Sequence, residues 1–277
     1  MPPAPDPVVP EPGACYEVLN ESDIRAPYAA EKAVTLMGAV YDGCDVMGIV
    51  ELKLGKVKKG AGKVSGSFID LSGKKHAIAS LKLSGIDGTS PQKVLLAVKD
   101  YGTMTVTIGG LRFAGSLGGW HVQSADVGGV WAKSSATVSV EMGDLTMFAG
   151  AVLSDFLPTN EVAVAVGGKW AFAKASAVKW AKPKKGAALP DIYDEASGKG
   201  LVVDTSKGAN RSGMKLTYTP KKGTFKGKFS VYALEGEGAK TKLKKYSVNV
   251  SGVVVDGVGY GMAKSKKPTA AWPVIVK

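Results

Sequence analysis

The chain has 277 residues and a mass of 28.6 kDa, room for one large β domain or two of ordinary size. Its 45% apolar and 22% charged residues supply enough surface to bury that wholesale disorder is excluded. The 36 glycines follow no three-residue period, which excludes collagen. No stretch of about 18 residues runs free of charge, which excludes a transmembrane helix.

The net charge of +12 is unevenly spread. Residues 1–160 carry 14 basic and 16 acidic groups, whereas residues 161–277 carry 22 basic and 8 acidic groups. A basic half points to an anionic partner such as an acidic polysaccharide, nucleic acid or an anionic membrane surface. Only Arg25, Arg112 and Arg211 are arginines; the other basic residues are lysines. Base reading favours the planar guanidinium fork, so specific nucleic-acid recognition is not expected. The competing reading is that the lysines solvate strand faces and block edge pairing.

Residues 1–30 read as an N-terminal arm. Met1–Gly13 holds six prolines and no apolar segment of the kind found in a signal peptide. It reads as an extended linker, such as would follow an upstream export signal. Cys15 and Cys44 have no close metal-ligand spacing, and His76 and His121 are isolated. No metal site or other cofactor is expected. A Cys15–Cys44 disulfide and a pair of separate thiols both remain open.

From Glu31 onward the pattern is one of strands. Val50–Leu54 alternates apolar and polar residues, as do Met214–Thr219 and Tyr246–Ser251. This is the mark of half-buried antiparallel strands. Turn signals such as Lys58-Lys59-Gly60, Asp87-Gly88 and Asp256-Gly257 recur at short intervals, which suits a barrel or sandwich. Asp144–Leu157 differs: Leu145, Phe148, Val152 and Phe156 fall at helical spacing between Asp144 and Pro158. A short helix or helical turn is predicted there, between two β domains at 31–158 and 159–277.

An internal repeat supports the two-domain reading. Lys58-Lys59-Gly60 matches Lys221-Lys222-Gly223, Gly62–Ser65 matches Gly227–Ser230, and Leu83–Ile86 matches Val250–Val253. The offset drifts from 163 to 167 residues, as turn insertions in a duplicated unit would produce. The expected fold is therefore all-β: two related, Gly-rich antiparallel barrels or sandwiches.

These segments also carry a resemblance. VELKLGKVKKGAGKVSGSFIDLSGKKHAI, GGWHVQSADVGG and LTYTPKKGTFKGKFSVYALEGEG resemble β-rich modules near the C-terminal ends of large secreted or surface proteins of gut and rumen Gram-negative bacteria. The resemblance covers most of residues 16–277 and consists of turn-and-strand motifs, with no catalytic residue to carry over. It implies export to the medium or cell surface and a setting rich in plant or mucosal polysaccharide.

Chemistry-bearing residues are few. No nucleophile elbow and no phosphate-binding loop occurs. Paired carboxylates would suffice for a glycoside hydrolase, and two clusters qualify: Asp42, Asp45 and Glu51, and Asp191, Asp194 and Glu195. Asp126 and Asp144 are further candidates, and turn formation is the competing reading for all of them. Sugars also bind by stacking on aromatic rings beside polar groups. Trp120 and His121 follow two glycines, and Trp131, Trp170, Trp180 and Tyr193 complete the aromatic set. The competing reading is that these rings fill two cores. The expected function is a secreted, non-catalytic polysaccharide-binding or adhesin-like pair of modules. A glycoside hydrolase is the alternative, and a structural stalk or export-associated tail the third.

Overall fold

The structure is a computed structural model that describes residues 19–28, 30–43, 45–125, 135–140, 145–158, 161–166, 169–206 and 208–276. Cys15, Cys44, Asp126, Trp131 and Asp144 lie outside the described residues. The fold is all-β, as its alternating sequence predicts. Among the described residues no helix is long and apolar enough to cross a membrane.

Eight strands come first: β1 (Val34–Asp42), β2 (Asp45–Leu54), β3 (Gly62–Asp70), β4 (Lys75–Leu83), β5 (Gln92–Val98), β6 (Gly102–Gly109), β7 (Arg112–Leu117) and β8 (Trp120–Ser124). They pair antiparallel in chain order, and β8 returns to β1 from Gly38↔Ser124 to Tyr41↔His121, closing a barrel. Alternate residues turn inward, including Val50, Leu52 and Leu54, and Met104, Val106 and Ile108. An eight-stranded barrel has an interior that side chains just fill. Gly38 shows how tight the filling is: a Cβ there would stand 2.6 Å from the Phe113 ring and 2.4 Å from the Gln123 carbonyl oxygen.

Twelve shorter or longer strands follow. They are β9 (Ser135–Ser139), β10 (Ala151–Val152), β11 (Glu161–Val166), β12 (Lys169–Ala171), β13 (Ala177–Ala181), β14 (Tyr193–Asp194), β15 (Lys199–Asp204), β16 (Lys215–Thr219), β17 (Thr224–Glu235), β18 (Lys242–Val255), β19 (Val258–Lys266) and β20 (Thr269–Val276). The order β9-β11-β12-β16-β17-β18-β19-β20 is again a meander, and β20 returns to β9. This second sheet thus curls back on itself, with β12 meeting β16 at the single pair Trp170↔Leu216. A separate small sheet, β13-β15-β14, is inserted between those two strands, and β10 pairs with the end of β17. Met214, Leu216, Tyr218, Val248 and Val250 point into the core of the second sheet, and their alternating neighbours face solvent.

Three expectations change on contact with the structure. The segment predicted as a short helix or helical turn forms no continuous helix over 145–157: Leu145–Met147 and Ser154–Phe156 are single 3-10 turns with β10 between them. Gly150, at φ +97°, sits where a Cβ would meet the Leu234 carbonyl oxygen at 2.2 Å, so backbone pairing with β17 replaces the helical ladder. Phe148 and Phe156 then enter two different apolar clusters instead of one helical face. The change from one sheet to the other falls between Ser124 and Ser135, because β9 pairs with β11 and β20, ahead of the expected boundary at Pro158. Finally, Gly62–Ser65 lies on the third strand of its meander and Gly227–Ser230 on the fifth. What the two repeats share is a hairpin register: Gly62 pairs with Leu83 and Gly227 with Val250.

The two sheets are joined by apolar residues. Ala39, Tyr41, Val46, Ile49 and Ala125 of the barrel side pack with Val253, Val255, Val258, Tyr260 and Met262 of the second sheet. The Tyr41 and Tyr260 rings stack at 5.9 Å and 10°. Burial pushes the Tyr41 hydroxyl up to about 12, with the charge of Asp256 adding to it. The hydroxyl donates to Gln123 Oε1 at 2.6 Å, as does the Leu19 backbone N–H at 3.0 Å, which ties the start of the described chain to the seam.

Candidate functional site

An up-and-down meander puts alternate turns at one end of its barrel. Turns 42–45, 70–75, 98–102 and 117–120 therefore share an end, and a polar cluster is built there. His76, on an inward position of β4, is only 2% exposed. Its Nε2 lies 2.8 Å from Asp70 Oδ2 and its Nδ1 3.1 Å from Asp100 Oδ2. The ring thus bridges the two carboxylates. Tyr101 donates to Asp70 Oδ2 at 3.3 Å and packs edge-on against His76 at 4.7 Å. The other Asp70 oxygen accepts from Ser72 Oγ at 2.5 Å and from the Lys74 backbone N–H at 3.0 Å. Burial acts to raise the Asp70 carboxyl, but the hydrogen bonds from Ser72, His76, Lys74 and Tyr101 outweigh it and hold the group down at about 2. Lys74 reaches Asp100 at 3.4 Å. Every charge here already has a partner, so the cluster fastens turns 70–75 and 98–102 together.

Trp120 begins β8 beside this cluster, half-buried, with its ring 5.9 Å from Tyr101. Gly118 and Gly119 ahead of it have φ values of +58° and +99°. His121 is exposed, its ring 5.8 Å from Tyr41. Asp42 and Asp45 face each other across the β1–β2 turn, exposed, while Glu51 is further along β2 and pairs with Lys53 at 3.4 Å.

The remaining candidates belong elsewhere. Trp170 lies on β12, opposite Ala165 and Leu216. Trp180 and Tyr193 flank β15 on the small sheet, opposite Leu201 and Gly200. Trp180 packs partly buried against Leu153, Phe156, Leu201 and Tyr232, so much of this ring serves a core. Asp194 Oδ1 accepts from the Ala196 N–H at 3.0 Å, as a turn-forming aspartate does, and Asp191 and Glu195 are exposed. The six acidic candidates are thus divided, three on the barrel and three at the small sheet. The aromatic candidates are divided too, with Trp120 and His121 on the barrel, Trp170 on β12 of the second sheet, and Trp180 and Tyr193 on the small sheet.

A different group of residues converges on one hollow. On the outer face of the second sheet, Lys215 pairs with Lys228, Lys228 with Asn249, and Asn249 with Lys264. This row crosses four strands, about 14 Å at about 4.8 Å per strand. Beside it runs a second row, Thr217, Lys226 and Ser251. Together with Gly227 and Val250 these residues line an open hollow of about 460 Å³. A neighbouring hollow of about 430 Å³ shares Lys215 and Thr217 and has Phe172 on its wall. Among the described residues no carboxylate pairs with Lys215, Lys226, Lys228 or Lys264. Four lysines thus line one concave surface whose other polar side chains, among the described residues, are two hydroxyls and an amide. That arrangement attracts anions and hydrogen-bonds to hydroxyl-bearing ligands. The alternation of Lys215, Thr217, Lys226, Lys228, Asn249 and Ser251 with buried neighbours was visible in the sequence. Which strands lie side by side was not, and that is what assembles the hollow.

Compared with protein-family models, with curated proteins and with solved structures, the chain has no significant match.

Proposed function

We propose that this chain is an exported, non-catalytic binding module for an acidic polysaccharide, held in the lysine-lined hollow of its second sheet. The observation that carries the reading is the set of four lysines, without acidic partners among the described residues, that line one concave surface with two hydroxyls and an amide. The hollow has no arginine and no aromatic ring, whereas proteins that bind single-stranded nucleic acid combine basic grooves with stacking rings. Thr217, Asn249 and Ser251 instead offer donors and acceptors to sugar hydroxyls. Phe172 next door offers an apolar face to a sugar ring. The resemblance to modules of secreted gut and rumen proteins fits a polysaccharide partner.

The test is affinity electrophoresis in gels containing polygalacturonate, dextran sulfate or a neutral glucan. Retardation by the acidic polymers is expected at low salt, and it weakens steeply as salt rises, because exposed charges are screened over about 10 Å at 0.1 M. Migration unaltered by every acidic polymer at low salt overturns the proposal. Release of reducing ends on incubation would place the chain among glycoside hydrolases instead.

A further inference from the structure

One lysine of the hollow does not end in the hollow. The Lys264 ammonium donates to the carbonyl oxygen of Gly73 at 3.3 Å, across the seam, on the barrel turn between β3 and β4. Gly73 has φ +79°, and a Cβ on it would lie 2.4 Å from Lys264 Nζ. The glycine is what lets the ammonium come down onto the turn. An ammonium has three protons, so two remain to face a ligand at the junction of the sheets.

The barrel side of that junction is also basic. Lys74 follows Gly73 directly, and Lys74, Lys75 and Lys99 are exposed. The acidic groups nearby, Asp70 and Asp100, are engaged by His76, Tyr101, Ser72 and Lys74. The Lys74–Asp100 pair, at 3.4 Å with side chains 66% and 44% exposed, is of the exposed kind that contributes little. Lys74 can therefore leave it for an anionic ligand at small cost. The seam is packed by apolar residues from both sheets and by the stacked Tyr41 and Tyr260 rings, which holds the two basic surfaces in fixed register.

We infer that the binding surface is a track that continues from the hollow over Lys264 and Gly73 onto Lys74 of the barrel, so that a long acidic polysaccharide contacts both sheets at once. The inference rests on the proposed function. It adds that the length of the ligand matters: a short acidic oligosaccharide fills the hollow alone, and a longer one gains the barrel contacts as intramolecular events.

The experiment measures affinity by titration calorimetry for short and long oligogalacturonates, in the whole chain and in the variants K74Q, K74R and K228Q. K74Q should weaken binding of the long chain about two- to fivefold, the size of one screened charge contact, and leave the short one unchanged. K74R should retain parental binding, which a merely steric role of Lys74 would not give. K228Q should weaken both. If K74Q leaves long-chain affinity intact while K228Q lowers it, the track ends at Lys264 and the inference falls, but the proposed function stands. Equal losses on short and long chains with K74Q would place Lys74 inside the first subsite and also overturn the inference. If the parent binds neither oligosaccharide nor dextran sulfate, the function itself is overturned. Tighter binding to an oligothymidylate than to galacturonate would do the same in favour of nucleic acid.

Discussion

The barrel and the second sheet are both antiparallel meanders that return on themselves, yet they use charge in opposite ways. The barrel turns its polar groups toward one another: Asp70, Asp100, His76 and Tyr101 satisfy each other at one end. The second sheet turns its lysines outward, and those of the hollow meet no carboxylate among the described residues. The first arrangement fixes turns, since buried polar groups are tolerated only when bonded. The second stores no local stability and leaves a field for a partner. The difference says where to look for structure and where to look for binding.

Removing the keystone of the barrel cluster should have the largest effect. His76→Ala removes the ring that bridges the two carboxylates, leaving Asp70 Oδ2 only Tyr101 and Asp100 Oδ2 only Lys74, and opens a buried gap, an effect expected to cost about 2–4 kcal/mol. It is read as a fall in the urea midpoint at constant slope. A change below about 0.5 kcal/mol would mean water replaces the imidazole freely and that the barrel end is no firmer than the lysine face.

Trp120→Ala sharpens the same contrast. A sealed aromatic typically costs about 3–5 kcal/mol on truncation, but Trp120 is half-buried beside Tyr101, so about 1–3 kcal/mol is expected. Affinity for acidic polysaccharide should change less than with K228Q. A large loss of binding with unchanged stability would instead make this ring the sugar platform and move the site to the barrel.

On the second sheet, K226E/K228E should invert that outcome. Reversing two charges at the centre of the hollow is expected to lower affinity for dextran sulfate at least tenfold, about 1.4 kcal/mol. Both side chains are exposed, so stability should move by no more than about 0.5 kcal/mol. Calorimetric binding and thermal melting on one sample check both halves. A large fall in melting temperature would show that these lysines are structural.

Much of the fold could be read from the residues because strand alternation is local. Val248 and Val250 are buried while Ser247, Asn249 and Ser251 are exposed, and Met214, Leu216 and Tyr218 repeat the pattern. The charge contrast between the halves was equally visible. The helix at 144–157 misled because apolar spacing says nothing of a glycine that lets its backbone press against β17. The sites were less legible. His76 meets Asp70 and Asp100, which lie 6 and 24 residues away, only because two turns share a barrel end. The available clue was a lone histidine at an inward position of β4, between Phe68 on the next strand and Ile78, where a polar ring needs partners. The hollow draws on four strands spread over residues 215–264, and pairing order is a tertiary fact.

The last signal is a difference that closes in acid, and it tests whether the barrel cluster is electrostatic at all. The Asp70 carboxyl is held at about 2, below its ordinary 3.8. A group depressed in the folded state favours folding while it is ionised. Its contribution is fully present above about pH 3.8 and disappears as the pH falls toward about 2. Asp70→Asn cannot titrate and keeps an acceptor toward His76 and Tyr101. The variant should therefore be less stable than the parent from neutrality down to about pH 4, and the gap should close between about pH 4 and 2. The other carboxylates titrate alike in both proteins, so the difference between the two urea midpoints isolates this one group. Midpoints that run parallel through that window would show that Asp70 acts as a neutral acceptor. The contrast between a barrel that spends its charges internally and a sheet that displays them would then rest on the lysines alone.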